Sequence, residues 1–551
     1  MMFIRKGFFL CLLMLASTAF ISAQAPEWLW AARGGGSLDD YGYSIAVDNA
    51  GNSYVCGHFQ NTADFGVTNL TSAGDYDIFV AKLDTNGNWL WAKRAGGTGH
   101  ESSYSICTDA SGNCYLSGAF QGTADFGPFS LTSAGGADAI IAKLDTDGNW
   151  LWAVRAGGTG ATDVAWNIAA DTTQNCYVTG VFMGLATFGT TTLTSAGVYD
   201  VFVAKLNESG QWQWATRAGG PASEQGYGIA LDNGGNVYIA GYFAGTADFY
   251  MNLLTSSGVE DIFVAKLDPN GYFQWAVQAG GSGTDGALWL DVDGDGNCYL
   301  TGPFSATATF GISSLTSLGS TDIFVSKVDT NGVWQWTKRA GGTSVDQGNG
   351  ICVDVAGGVY IAATISGTSD FGDYGIACLG GYDIVAAKLD NSGNWSWVLH
   401  TGSTGNEAGY EVAVCSGGNI YLTGPFSLTV PFGATSLTSV GARDVWVAKL
   451  SPSTPVDDDL APGLSSESFL YAAWPNPFHA GETATVKASV ADGESGTITL
   501  YNTRGQVIQR KQLCSGCHQI SIGGTDLPAG IYLYRLSTPT VNTIRKLVLL
   551  K

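Results

Sequence analysis

A 61-residue period governs this chain. The last tryptophan of each WxW motif stands at 30, 91, 152, 214, 275, 336 and 397, so every interval is 61 residues except for one of 62. Such a period means that one supersecondary unit is stacked on copies of itself, and it has to be read before any single motif. The first unit holds four candidate strands, YSIAVD (43–48), SYVCGHF (53–59), DIFVAKL (77–83) and NWLWAKR (88–94), here called a to d. Their length, alternation and Val, Ile, Tyr and Trp content favour strand over helix. DNAGN joins a to b and DTNGN joins c to d, short turns in which Asn and Gly accept positive φ, so each pair reads as an antiparallel hairpin. QNTADFGVTNLTSAGDY, between b and c, and AGGTGHESS, between d and the next unit, read as long connections.

The phase of the repeat says more than its period. The last unit offers strand a near YEVAV (410–414), b in NIYLTGPF (419–426) and c in DVWVAKL (444–450), and then SPSTPVDDD stands where a WxW strand is due. A surplus d strand, WLWAAR (28–33), lies at the other end of the array. Pairing the two completes the last unit and removes both open edges. The expected fold is all-β: a seven-bladed β-propeller closed by an N-terminal strand, followed by a small β-sandwich. An open β-solenoid is the alternative, and it gives no reason for the complementary ends.

Composition narrows the function classes. The 77 glycines follow no Gly-X-Y period and aromatic residues reach 12%, which excludes collagen and a disordered chain. A formal charge of −22 offers no positive field to phosphate, so nucleic acid is not an expected partner. Arg5 and Lys6 before GFFLCLLMLASTAFIS and AQA read as a secretory leader over residues 1–25, cleaved near 23–25. The mature chain then keeps no apolar stretch long enough to span a membrane. Of the cysteines, Cys114, Cys176 and Cys298 share a repeat position held elsewhere by Ser53, Val237, Val359 or Ile420, which reads as core filling. Cys107 and Cys114 flank one hairpin turn and could pair, although nothing in the spacing demands it. Cys514 and Cys517 form a single CSGC without the second pair of a structural zinc site.

Side chains that recur in every unit read as structural, because a catalytic group is needed once. The WxW rings, Trp28/Trp30 through Trp395/Trp397 with Phe273 in one place, are expected to pack between blades, a sugar-stacking stripe being the alternative. Phe65, Phe126, Phe188, Phe249, Phe310, Phe371 and Phe432 read as a second packing layer. Asp77 and its six counterparts open each c strand and are expected to accept loop N–H bonds. Lys82 and its counterparts, near the end of c, are expected to bring an ammonium to an indole or a carboxylate. Immediately before strand a stands one acid per unit: Asp40, Glu101, Asp163, Glu224, Asp285, Asp346 and Glu407. If strand a lines the axis, these encircle one mouth of a channel. Local loop hydrogen bonding is the preferred reading and a bound cation such as Ca²⁺ the alternative. DVDGDGN (291–297) has the opening of an EF-hand loop, but Gly302 occupies the position of the bidentate Glu, and the segment reads as a hairpin turn. His58, His100, His400, His479 and His518 are scattered and form no HExxH, and neither a nucleophile elbow nor GxxxxGK[ST] occurs. No catalytic constellation and no cofactor are predicted.

The repeated GNxYxxGxFxGTADFG, LTSxGxxDxFVAKLD and WxWA elements resemble the bacterial seven-bladed β-propeller repeat family, SBBP, over about residues 28–450. The resemblance implies an exported or surface protein and no common catalytic activity. After the linker at 451–463, WPNPF (474–478), ITLYNTRGQVI (498–508), LPAGIYLYRL (527–536) and RKLVLLK (545–551) resemble the type A C-terminal sorting domain of the type IX secretion system of Bacteroidota, over 464–551. Trp474 stands where that family more often has Tyr. This resemblance implies the type IX machinery as a partner and a secreted or outer-surface location, with release or lipopolysaccharide attachment after loss of the tail. The expected organisation is a leader (1–25), a propeller (26–450), a linker (451–463) and a sorting domain (464–551). The expected function is a binding or adhesion scaffold for glycan, protein or matrix ligands, its loop face individualised by residues such as His100, Trp166, Glu224 and Asn349. A secreted carbohydrate-active enzyme and a structural surface-layer component are the alternatives.

Overall fold

The computed structural model describes residues 25–160, 162–415, 417–452, 469–474, 478–479, 483–490, 494–513, 516–523 and 527–550. The leader, most of the linker and parts of WPNPF and CSGC lie outside the described residues. Ala25–Ser453 forms one compact unit, and the C-terminal strands belong to another.

In the first repeat the strands run Tyr41–Val47, Ser53–Phe59, Asp77–Leu83 and Trp89–Gly97, joined a-b-c-d in one antiparallel sheet. Strands b and c are buried along their whole length, as expected of strands covered on both faces, whereas d alternates. The last repeat supplies a as Glu411–Val414, b as Ile420–Phe426 and c as Asp444–Leu450, and its fourth strand is Trp28–Gly36. Trp30 stands opposite Lys449 and Gly34 opposite Val445, the register that sets Trp91 opposite Lys82 in the first repeat. The side chains repeat as well. Trp28 meets Phe432 edge-on at 5.0 Å, as Trp89 meets Phe65 at 5.2 Å, and Arg33 pairs with Asp444 at 2.6 Å, as Arg94 does with Asp77.

Hydrophobic cores lie between consecutive repeats. One joins Tyr54 and Val80 of the first to Leu116 and Ile140 of the second. Another joins Val55 and Phe79 of the first to Tyr421, Val445 and Val447 of the last, so the two ends of the array share apolar surface as neighbours do. One cavity of about 440 Å³ is lined by strand a of every repeat, from Ile45 through Ile106, Ile168, Ile229, Leu290 and Ile351 to Val412.

The segment between b and c is not a plain loop. It forms a hairpin, Thr62–Phe65 with Thr68–Thr71, whose turn uses Gly66 at φ +66°. Its first arm pairs with the strand d of the preceding repeat, Gly35 opposite Asp64 and Gly96 opposite Asp125. Arms of four residues are too short for a period-two signal, which is why the sequence reads as a loop. The recurring phenylalanines sit on these arms and are fully buried, Phe65 and Phe126 among them. Cys107 and Cys114 are free. Cys107 stands opposite Tyr115 and Cys114 opposite Thr108, which places the two side chains on opposite faces of the sheet and prevents pairing. Cys114, Cys176 and Cys298 are fully buried and free.

In the C-terminal unit, Phe469–Trp474, Thr483–Val490 and Gly516–Gly523 form one sheet. Phe478–His479, Asn542–Leu550, Gly530–Ser537, Gly496–Asn502 and Val507–Leu513 form a second. Val486, Ile520, Leu500, Tyr534 and Leu547 share one core between the two sheets.

Candidate functional site

The seven acids before strand a are buried, none more than 1% exposed, and each carboxylate turns into the connection that leads into its strand. Asp40 accepts the N–H groups of Gly36 (2.6 Å) and Gln60 (3.2 Å), and Asp163 those of Gly158 and Met183. Asp285 takes Gly281 and Ser305, and Asp346 takes Gly342 and Ser366. Glu101, Glu224 and Glu407 accept Gly97, Gly220 and Ser403. These seven carboxylates thus accept N–H groups of the connections around strand a. Burial raises the pKa of Asp40, Glu101 and Glu224 to about 7 and of Asp163 and Asp285 to about 6, and also raises that of Asp346 and Glu407. Among the described residues no group of three or more His, Cys, Asp or Glu side chains is placed to hold a metal ion.

Each of these acids lies close to the aspartate that opens strand c. Between them passes a glycine of the AGG run. At Gly96 a β-carbon would lie 2.6 Å from Asp77 Cγ and 2.8 Å from Glu101 Oε2, so the close approach of two carboxyl groups dictates glycine there. Asp77 is held by the Ala73 N–H (3.1 Å) and by Arg94, a partner that sequence spacing did not indicate. On the opposite end of each sheet, the lysine of strand c lies over the tyrosine of strand b rather than an indole, as Lys82 does over Tyr54 at 4.6 Å, and the Asp48 carboxylate lies 3.7 Å from its ammonium. The second indole of WxW instead donates to the c–d turn of the next repeat: Trp91 to Thr146 O, and Trp30 to Thr85 O. These groups are packed and paired for structure. DVDGDGN forms the same turn as its counterparts, Asp293 accepting the N–H groups of Asp295 and Asn297.

The start of strand a is different. Three residues after each acid comes a position occupied by Tyr43, Tyr104, Trp166, Tyr227, Leu288, Asn349 and Tyr410. In five repeats the pairing of a with b shifts here, from Gly42/Ser44 in the first to Gly348/Gly350 in the sixth, leaving this residue as the extra one of a β-bulge. A bulge re-aims its side chain out of the pleat. The result is a continuous arc of half-buried rings. Tyr410 stacks on Tyr43 (5.6 Å, 4°), which touches Tyr104 (5.4 Å), then Trp166 (4.5 Å), then Tyr227 (5.2 Å). Tyr41 stacks on Tyr43 from the adjoining position. Burial raises the pKa of Tyr43, Tyr104, Tyr227 and Tyr410, so the arc is neutral.

Behind Tyr43 two histidines that are scattered in the sequence meet at Ser102, whose Oγ lies 2.7 Å from His58 Nδ1 and 3.3 Å from His100 Nε2. Ser102 is 1% exposed, and burial holds the His58 pKa down at about 3, so the buried side of this contact is a neutral imidazole. Where the arc breaks at Asn349 a recess of about 330 Å³ opens, walled by Tyr41, Tyr382 and Tyr410 and edged by Gln347, Asn406 and Arg443. Asn349 is fixed in its floor by bonds to Thr364 Oγ1 (2.9 Å) and Gly409 O (2.8 Å).

Residues 29–58 and 213–242 match the beta-propeller repeat, SBBP, and residues 472–550 match the secretion system C-terminal sorting domain. The chain carries beta-propeller repeats and a type IX sorting domain. The sorting domain marks the protein for export by that machinery, to the medium or the cell surface. No helix of the described residues is long and apolar enough to cross a membrane. An uncharacterized WD repeat-containing protein of Acanthamoeba polyphaga mimivirus is 24% identical over 503 residues, covering 72% of this chain and 36% of its own length. Regulatory protein FlaEY of Caulobacter vibrioides is 25% identical over 361 residues, covering 59% of this chain and 36% of its own. The propeller-repeat chain thus spans about a third of each relative. Among solved structures, a fungal alcohol oxidase in complex with copper aligns with a TM-score of 0.41 and 11% identity over 95% of this chain and all of its own. Quinohemoprotein alcohol dehydrogenase from Comamonas testosteroni aligns at 0.35 and 9% over 80% of this chain and 79% of its own. Likenesses this distant bear on neither the activity nor the detailed fold of the SBBP repeats.

Of the residues expected to individualise the loop face, Trp166 lies in the arc and Asn349 in the recess, whereas Glu224 is buried among the loop-binding acids and His100 beside Ser102. Sequence reading missed the arc as a whole. Its signal was present at a fixed offset of three from each acid, hidden because Leu288 and Asn349 interrupt it.

Proposed function

We propose that this exported protein is a binding scaffold: residues 26–450 close into a seven-bladed propeller through the strand at 28–36, the aromatic mouth of its axis holds an extracellular glycan, and residues 464–551 serve as the export address. The observation that carries this reading is the arc from Tyr410 to Tyr227, four of whose five rings, Tyr43, Tyr104, Trp166 and Tyr227, are aimed by a bulge. Neutral, partly exposed rings in a run of stacked and tilted contacts suit the apolar faces of pyranose rings, and their placement outside the sheet costs packing that a purely structural residue would keep. Closure is supported by the apolar core shared between the first and last repeats and by the strand-a residues of every repeat around one cavity. We read the seven buried acids as loop anchors rather than cation ligands, since each already accepts backbone N–H groups.

An enzymatic reading would look to Glu411 and Asp291, which face the same axial cavity. Both carboxylates are committed to neighbouring strands, Glu411 Oε2 accepting Ile45 N–H at 2.6 Å and Asp291 Oδ2 accepting Val353 N–H at 2.8 Å. Bracing therefore explains them better than acid–base work. In glycan-array and calorimetric measurements on the full chain, the combined change Tyr104→Ala, Trp166→Ala and Tyr227→Ala is expected to weaken glycan binding by about tenfold or more without altering the far-ultraviolet circular dichroism spectrum. Unchanged binding in that variant would move the site away from the mouth; binding only to a protein or matrix component would replace the glycan.

A further inference from the structure

Two charged side chains line the recess at the break in the arc: Glu407, whose carboxylate is taken up by Ser403 and Ser427, and Arg443, which makes no ion pair among the described residues. Arg33, Arg94, Arg155, Arg217 and Arg339 each pair with the aspartate that opens a strand c. Arg443 has no carboxylate within ion-pair distance among the described residues. Its guanidinium lies over the Tyr41 ring, 5.4 Å from the centroid, and donates to the Tyr41 hydroxyl. The backbone of Arg443 is fixed too, its carbonyl accepting the Asp40 N–H at 3.0 Å. In the other repeats the same position holds Tyr76, Ala137, Tyr199, Glu260, Thr321 and Tyr382, so the arginine is special to this recess.

We infer that the recess takes one carboxylated sugar residue, a hexuronate of an acidic polysaccharide, with its carboxylate on Arg443 and its ring against the tyrosine walls; this rests on the glycan-binding reading above. The Asp39 charge acts on Arg443 only from beyond ion-pair distance, so the guanidinium beside the cavity can take a ligand carboxylate as its direct partner. Stacking on Tyr41 orients the planar donor fork while leaving its other N–H groups free for two carboxylate oxygens. Tyr382, 40% exposed, forms the rim, and Gln347 and Asn406 offer amide donors and acceptors suited to ring hydroxyls. The volume of about 330 Å³ is at the small end of ligand sites and suits one ring rather than a chain. An acidic peptide shares the carboxylate but makes less use of the tyrosine walls, which favours the sugar.

The test uses the full chain and oligomers of galacturonate, glucuronate and mannuronate, each as the free acid and as the methyl ester, read by titration calorimetry. At least one free acid is expected to bind about tenfold or more tighter than its ester, and Arg443→Thr, which installs the residue type of the equivalent position 321, is expected to abolish that difference and leave ester binding within about twofold. Equal binding of acid and ester, or an unchanged preference in Arg443→Thr, overturns the uronate proposal while leaving glycan binding intact. Arginine-dependent binding of a glutamate-rich peptide with no oligosaccharide binding overturns the sugar in favour of a peptide. If every glycan, neutral or acidic, binds the full chain and the Tyr104, Trp166 and Tyr227 variant equally or not at all, the parent reading falls as well.

Discussion

Deletion of residues 26–36 is expected to abolish the cooperative unfolding transition of the repeat array, and a circular permutant that carries them after Leu450 is expected to restore it. The deleted strand contributes two large half-buried rings, Trp28 against Phe432 and Trp30 against Tyr421, each worth part of the roughly 3–5 kcal/mol that truncating a fully buried aromatic side chain costs. It also removes Arg33, leaving Asp444, which is fully buried, without its cation; breaking a buried pair from one side costs about 3–5 kcal/mol. Together with the lost ladder to Asp444–Leu450, these exceed the lower part of the range of about 5–15 kcal/mol in which folded domains lie. Permutation is geometrically easy, because the ends already meet: the Ser451 N–H donates to Glu27 O at 2.8 Å, within the span of the short c–d turn used elsewhere. Urea titrations followed by tryptophan fluorescence supply the measurement. A deletion variant with an unchanged midpoint would mean that the strand decorates an array that is stable without it.

A second large effect is expected from pH. Burial raises the folded-state pKa of Asp40, Glu101, Glu224, Asp163 and Asp285 to about 6 or 7, from ordinary values near 4. In the window between those values the folded chain holds protons that the unfolded chain has released. The stability these groups contribute is therefore complete below about pH 4 and is lost as pH rises through about 7. The turn aspartates Asp84, Asp145, Asp171, Asp232 and Asp293 act in the other direction, since hydrogen bonds from the turn hold their pKa down against burial; their contribution is lost as pH falls below the ordinary carboxylate range. The thermal midpoint is expected to peak near pH 4–5 and to fall by at least about five degrees on going to pH 8. Glu101→Gln, which keeps the shape of the side chain and cannot ionise, is expected to flatten part of that slope. A midpoint that rises steadily from pH 4 to pH 8 would show that these carboxylates are ionised as comfortably in the folded chain as outside it.

The two outcomes share a cause that was partly legible in the sequence. The missing strand of the last repeat was readable because WLWAAR is a whole, long, strongly patterned element, and its register with 444–450 follows from the register of its copies. The hairpin at 62–71 was not readable, because four-residue arms carry too little alternation and their pairing is with a different repeat. The acids at 40, 101 and 163 were found by position. That they accept loop hydrogen bonds was legible too; what was not is the room that Gly35, Gly96 and Gly157 leave for a second carboxyl group beside each. The aromatic arc escaped for a similar reason. Strand alternation places Tyr43 on one face, and only the bulge, a two-against-one mismatch with strand b, turns it into the mouth. The missing ion pair of Arg443 is a negative fact about partners, visible only once the arginines of strand d are seen to be paired.

Amide hydrogen exchange on the full chain tests the closure of the ring most directly, by comparing peptides from residues 28–36 with peptides from the interior copy at 89–97. Closure predicts that both fall in the same slowly exchanging class and lose protection together as urea is added, because both are inner members of a sheet with a partner on the strand-c side. Rapid exchange confined to 28–36, with 89–97 still protected, would contradict closure and with it the ring that sets the aromatic mouth.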